Sequence, residues 1–310
     1  MTNQKDFTFL SSDGKTMLHG ISWEPEGQII AVLQIVHGVA EYIARYDGFA
    51  RFLNEQGIAV VGHDHLGHGQ SVTANGTPVY FGDGNTWQTV VDDVYLLHNH
   101  LKKTYPNVPH LLMGHSMGSF VVRSYLIRYP GTVKAAIIMG TGWQGGLKLT
   151  AGIAIANVIA RGGADKISNM VTGLAFGPYL KPFKPIRTQV DWLSADADNV
   201  DAYIADPLCG SPPTVGLFRE MLRGIRFNQK FRNLDKMDGK TPILLISGAQ
   251  DPVGDLSAGV RQTYAEFKRS GVADCTLKLY PGLRHEILNE KAMQQTVYED
   301  IWNWMKERLA

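Results

Sequence analysis

Cysteine is nearly absent from this chain: Cys209 and Cys275 are the only two, and no C-x-x-C spacing occurs. That leaves no framework for disulfides and no cysteine-based zinc site. No apolar run approaches the ~20 residues needed to span a bilayer. The opening residues, Met1-Thr2-Asn3-Gln4-Lys5-Asp6, lack the apolar stretch of a signal peptide. An excess of one charge is missing as well. The net charge is +1, and lysine and arginine are scattered without a basic patch interleaved with aromatics, so a nucleic-acid partner is not expected. Internal repeats and low-complexity segments are also absent. The composition, 44% hydrophobic and 19% charged, is that of an ordinary globular protein, and the expected location is cytoplasmic.

Apolar runs alternate with helical periodicity. Residues 7–10 and 17–23 flank the turn-rich Ser11-Ser12-Asp13-Gly14 and predict a hairpin. Continuous apolar strands are expected at 29–36, 58–61, 110–113 and 133–139, with helices at 45–56, 87–105 and 117–129 between them. Such alternation predicts a mostly parallel sheet covered by helices on both faces. From 141 to about 238 no strand–helix alternation appears, and the predicted elements are helices at 147–160 and 215–225. The pattern resumes with strands at 242–246 and 275–280 and a closing helix at 290–309. The expected organisation is therefore an α/β core, 1–140 and 239–310, with a helical insertion at 141–238 after the sixth strand.

The most informative stretch is Gly114-His115-Ser116-Met117-Gly118, a G-x-S-x-G between a strand and a helix. This is the context of a nucleophile elbow, a turn so sharp that the neighbours of the serine must lack side chains. In a chain with 33 glycines the pentapeptide alone is weak, so its context carries the inference. Serine needs a base held by a third group. Enzymes with this elbow carry the acid and then the histidine further along the chain, each after a strand. Asp251 follows the strand at 242–246, and His285 follows the one at 275–280. Ser116, His285 and Asp251 are the expected nucleophile, base and orienting acid. The expected oxyanion donors are the backbone N–H groups of Met117 and of Val39, in the loop after the third strand. The plainer roles are a turn serine, a surface histidine and, for Asp251, a helix N-cap. Asp255 stands one turn too late. No metal or organic cofactor is expected. His63-Asp64-His65-Leu66-Gly67-His68 contains ligand-type side chains, but its spacing fits no zinc motif, and a glycine-punctuated loop explains it more simply. His98 and His100 are expected on a solvated helix face. Glu41 with Arg45, and Arg284, are expected to form structural ion pairs.

Three motifs then resemble the monoacylglycerol lipase/lysophospholipase branch of the α/β-hydrolase superfamily. They are His37-Gly38 with Glu41 and Arg45-Tyr46, Asp64-His65-Leu66-Gly67-His68-Gly69-Gln70-Ser71, and Gly114-His115-Ser116-Met117-Gly118. The Asp251 and His285 loops complete the match. The resemblance covers the core and weakens through the insertion. It implies an α/β-hydrolase fold with a helical cap, a serine-esterase mechanism and a glycerolipid or lysolipid substrate. The leading expectation is hydrolysis of monoacylglycerol or a similar single-chain lipid ester. A carboxylesterase for small esters, a lysophospholipase, an aminopeptidase and a small-molecule-binding protein on the same scaffold are alternatives. Trp143, Ile153, Phe176 and Tyr179 are candidate acyl-tunnel walls. The segment 147–160, apolar nearly all round, reads either as a lid that touches a membrane surface or as the core of the cap. The sequence does not set the oligomeric state.

Overall fold

The computed structural model describes residues 3–73 and 76–309. The N-terminal hairpin forms as expected: β1 (Asn3–Leu10) and β2 (Met17–Glu24) pair antiparallel, Leu10 opposite Met17. The other strands are β3 (Ala31–Val36), β4 (Ile58–His63), β5 (His110–His115), β6 (Ala135–Met139), β7 (Ile243–Gly248) and β8 (Cys275–Tyr280). They make one sheet in the order β1-β2-β4-β3-β5-β6-β7-β8, parallel from β4 to β8. β3 lies between β4 and β5, so the order reverses there. Crevices at such a switch point, beyond the carboxyl ends of the strands, are where open α/β sheets hold their ligands.

The uninterrupted apolar strands are uninterrupted because both faces are buried. Along β5, Leu111 and Met113 face one core and Leu112 the other. The first core is closed by α1 (Asp47–Glu55), through Phe49 and Leu53, and by α10 (Gln294–Leu309), through Val297, Ile301 and Met305. The second is closed by α2 (Thr86–Thr104), α3 (Met117–Arg128) and α9 (Ala258–Arg269). The α9 helix was not anticipated. Its buried positions Val260, Thr263 and Phe267 are helical in spacing, but its N-terminus follows three residues of positive φ, Asp255, Leu256 and Ser257, and no capping side chain announces it. The expected helix at 45–56 opens as a 3-10 turn, Ile43–Tyr46, before α1 begins. His98 corrects another expectation. It is buried against the His110 and Tyr125 rings, and burial pushes its imidazole down to about 4.

Between β6 and β7 lie α4 (Gly146–Ile159), α5 (Asn169–Phe176), α6 (Ala197–Ala205), α7 (Val215–Asn228) and the short α8 (Phe231–Leu234). The apolar α4 divides its faces: Leu149, Ile153 and Ala156 are buried, while Leu147 is 90% and Val158 61% exposed. No helix among the described residues is long and apolar enough to cross a membrane. α7 is tied to the core. Trp87 Nε1–H donates to Ser124 Oγ (2.9 Å), that hydroxyl donates to Asn228 Oδ1 (2.7 Å), and Asn228 Nδ2–H donates to the Phe120 carbonyl (2.8 Å).

The Trp87 indole packs against Gly224, where a Cβ would fall 2.0 Å from a ring carbon. Gly224→Ala is therefore expected to destabilise the fold by about 1–3 kcal/mol, the usual range for overpacking. Urea denaturation checks this, and an unchanged midpoint would mean that α7 is not locked by this contact.

Candidate active site

β5 ends at His115 and α3 starts at Met117, so one residue, Ser116, makes the whole turn, with φ 53° and ψ −122°. Positive φ is strained for a side-chain-bearing residue and persists only where the surroundings enforce it. Here they do. A Cβ on Gly114 would lie 2.3 Å from the Gly118 carbonyl oxygen, and one on Gly118 would lie 2.0 Å from that of Val36. The Ser116 N–H donates to the Met139 carbonyl at the end of β6 (3.0 Å). Both motif glycines are thus demanded by close backbone approach, as the spacing predicts.

Asp251 and His285 meet. Asp251 is fully buried after β7, and its Oδ2 lies 2.9 Å from His285 Nδ1. The same oxygen accepts from Ser247 Oγ (3.1 Å), while Oδ1 accepts the Val253 N–H (2.9 Å). A carboxylate at Nδ1 keeps the proton there and leaves the Nε2 lone pair unshared. Nε2 is buried and has no hydrogen-bond partner among the described residues, and His285 and Ser116 line the same cavity. The ring sits between those of His115 (4.7 Å between centroids) and Trp192 (5.2 Å), and the His285 N–H donates to the Leu193 carbonyl (3.0 Å). Asp255 is exposed, and the residue at the N-cap of α9 is Ser257, so Asp251 is not a helix cap.

On the opposite side of Ser116, the loop after β3 presses close. A Cβ on Gly38 would lie 3.0 Å from that of Ser116. Two side chains fix the orientation of this loop. The His65 N–H donates to His37 Nε2 (3.0 Å), which puts the His37 proton on Nδ1, and that N–H donates to the Gly38 carbonyl (2.7 Å). The Gly38 N–H donates to Glu41 Oε1 (2.6 Å). In a trans peptide the Val39 N–H points opposite the Gly38 carbonyl. Neither it nor the Met117 N–H, at the first turn of α3, makes a backbone hydrogen bond among the described residues.

Glu41 organises the floor beneath. It accepts from the Tyr46 hydroxyl (3.0 Å), His115 Nδ1 (3.0 Å) and Arg45 (3.0 Å), and Arg45 clasps Glu286, next to His285, through two hydrogen bonds (2.7 and 2.8 Å). Burial pushes the Glu41 carboxyl up, but His115 and Arg45 outweigh it and hold it well below the carboxylate range. Burial likewise pushes His115 down, and Glu41 more than reverses this, so the imidazole is raised. The Glu41–Arg45 ion pair was expected from sequence; the roles of Glu286, His115 and Trp192 were not. Among the described residues Arg284 makes no ion pair with a carboxylate and instead donates to the Asp191 and Ser194 carbonyls.

A cavity of about 430 Å³ opens on Ser116 beneath α4 and α5. Phe176 and Tyr179 line it; Trp143 and Ile153 do not. The Trp143 ring lies over the buried Arg123 guanidinium (5.6 Å), and Ile153 faces away, with its neighbours Leu149, Gly152 and Ile155 lining the cavity in its place.

Eight strands with an antiparallel hairpin at one edge, and a serine elbow where the fifth meets its helix, define the class: this is an α/β hydrolase. The chain belongs to the family described as serine aminopeptidase, S33, which matches residues 27–292. It is similar to a monoacylglycerol lipase of Mycolicibacterium smegmatis, 28% identical over 99% of both chains. It is also similar to the human monoglyceride lipase, 30% identical over 93% of this chain and 86% of that one. Among solved structures it resembles a thermostable carboxyl esterase from Bacillus coagulans in complex with glycerol, with a TM-score of 0.93 and 26% identity over the whole of both chains. The protein is a serine ester hydrolase.

Behind the loop after β3, the rings of His37, His63, His65 and His68 cluster in tilted and edge-to-face contacts, with centroids 4.2–6.2 Å apart. Asp64 is committed within this cluster, to His19 Nδ1 (2.9 Å) and the N–H groups of Ile43 (2.8 Å) and Gln70 (2.9 Å). Among the described residues no three such side chains converge as metal ligands. Burial pushes His63 and His68 down to about 3, and lowers His37 and His65 as well. The unfolded chain binds protons at these sites below its ordinary histidine pKa of about 6.5, whereas the folded chain does not. Stability is therefore expected to fall as pH drops from about 6.5 towards 3, outweighing the raised His19 and His115, whose contributions persist there. Melting temperature against pH checks this, and a flat profile between pH 6.5 and 4 would show that the rings protonate in place.

Proposed function

We propose that the protein hydrolyses carboxylic esters of a single fatty acyl chain, monoacylglycerol among them, through an acyl-enzyme on Ser116. The observation that carries this reading is the apolar cavity of about 430 Å³ leading from Ser116 between Leu149, Ile155, Phe218 and Leu222. Such a volume is that of a site for a small hydrophobic ligand.

The chemistry follows from the geometry. His285 Nε2 takes the proton of Ser116 Oγ as the oxygen bonds the ester carbon, and the carbonyl electron pair moves onto oxygen. The Val39 and Met117 N–H groups stabilise that oxyanion, each such donor being worth about 2.7–4 kcal/mol. The tetrahedral intermediate collapses, the bond to the alcohol oxygen breaks, and Nε2 returns its proton to that oxygen. Water, deprotonated by the same nitrogen, then releases the acid and restores Ser116. Asp251 keeps the imidazole in the required tautomer and stabilises its charged form. An amine-capturing carboxylate would favour a peptidase, but Glu41 and Glu286, the carboxylates lining the site, are both engaged by Arg45.

The segment 141–238 acts in this reading as a cap over the site. The exposed Leu147, Val158, Met170 and Leu174 give it an apolar outer face suited to a lipid surface. Co-sedimentation with liposomes is expected, and its loss in a Leu147→Ser, Leu174→Ser variant checks the face responsible. Ser116→Ala and His285→Ala are each expected to remove nearly all turnover of 1-monoacylglycerol and p-nitrophenyl esters, and the double variant to be little worse. Asp251→Asn is expected to fold normally and lose about ten-thousandfold in kcat through the wrong tautomer. Substantial activity in His285→Ala would reject the assigned base.

A further inference from the structure

Arg123 stands on α3, about two turns beyond Ser116, and its side chain is fully buried. A guanidinium stays charged at neutral pH, yet this one makes no ion pair with a carboxylate among the described residues. The rings of Phe120, Trp143 and Phe267 surround its central carbon at 5.6–5.7 Å, and such faces attract a cation. All of its hydrogen bonds go to one place. Nη1 donates to Thr141 Oγ1 (3.2 Å) and to the Gly142 carbonyl (2.8 Å), while Nε and Nη2 have no partner among the described residues. Burying a charge without an opposite charge is unfavourable, so packing alone does not account for an arginine here.

The segment it grips, 139–142, touches every member of the triad. The Met139 carbonyl accepts the Ser116 N–H (3.0 Å). Gly140, with φ 61°, lies against the His285 ring, where a Cβ would fall 3.0 Å from Cε1 and 3.2 Å from Nδ1. Thr141 and Gly142 press on the turn after Asp251. A Cβ on Gly142 would fall 2.3 Å from the Val253 carbonyl oxygen, and one on Gly254 would fall 3.0 Å from that of Thr141. The N–H of the same Val253 donates to Asp251 Oδ1 (2.9 Å). Neither Thr141 nor Gly142 makes a backbone–backbone hydrogen bond among the described residues. The hydrogen bonds that hold this pair of residues come from the Arg123 guanidinium.

We propose that Arg123 is a positioning residue for the triad: by clamping Thr141 and Gly142 it sets the surface against which the His285 ring and the Asp251 turn are aligned. This rests on the Ser116–His285–Asp251 reading above. Arg123, Thr141 and Gly142 line neither of the cavities that contain Ser116, so their influence falls on alignment and not on substrate binding.

Arg123→Met puts an apolar chain in place of the guanidinium. Its kcat for a p-nitrophenyl ester is expected to fall by about ten- to a hundredfold, the scale of a displacement of about 1 Å at the reacting groups, with KM changed by less than about twofold. The low-field NMR proton resonance of the His285–Asp251 hydrogen bond, identified by its loss in Asp251→Asn, is expected to shift or broaden in the same variant. Thr141→Val removes one acceptor without changing shape and is expected to lower kcat by about threefold. An unchanged kcat in folded Arg123→Met, or in Thr141→Val where the first variant does not fold, overturns the proposal. So does a raised KM at unchanged kcat, which would make Arg123 a determinant of binding. A fall in kcat that leaves the low-field resonance in place overturns it too, because the loss would not run through His285 and Asp251. Turnover that survives Ser116→Ala overturns the mechanism beneath it as well.

Discussion

Everything at this site depends on a close approach of backbones. The Gly118 Cα and the Val36 carbonyl come so near that the smallest side chain would collide with the strand. That approach draws the first turn of α3 onto the end of β3. Ser116 is held in a conformation that L-residues avoid, and the Gly38–Val39 peptide is brought beside it. The strain at one residue is balanced by packing across six parallel strands. A chain that failed to assemble β3, β5 and β6 in register would have no reason to hold Ser116 there.

Beneath this contact lies a buried polar assembly that a purely apolar core would not contain. Glu41 is the common acceptor for the loop after β3, for His115 and for Arg45, and Arg45 reaches on to the residue after His285. Loops following β3, β5 and β8 are thereby joined through one carboxylate. Buried ion pairs contribute little net stability, because desolvation offsets their attraction. Their geometric demands are strict, however, and here those demands fall on the three loops whose relative placement determines the chemistry.

Much of this was legible in the sequence because local pattern and global fold agree. The continuous apolar strands predicted a parallel sheet, and Ser116, Asp251 and His285 stand after strands in the order the elbow requires. Reading failed where position is set by tertiary contact. His98 looks solvated in a helix with polar neighbours, yet a second histidine and a tyrosine cover it. Trp143 has the size of a tunnel wall, but a buried guanidinium claims its face. Ile153 and Ile155 are two residues apart on one helix, so they face different ways, and hydropathy cannot say which of them meets the cavity. Trp192 and Leu193, which buttress His285 from the insertion, lie in a segment without periodicity and carry no local signal.

The attachment of α7 has a mechanical consequence. In sequence it belongs with the helices over the site, but its hydrogen bonds through Ser124, Asn228 and Trp87 run into the sheet's own helices. The helices over Ser116 are therefore not all attached to the core in the same way. α7 is a fixed post, and the 146–176 segment is the leaf hung beside it, resting on the post along α4. The seam between the two, where Gly152 of α4 meets Leu222 of α7, is thus the contact that ties the 146–176 segment to the rest of the fold.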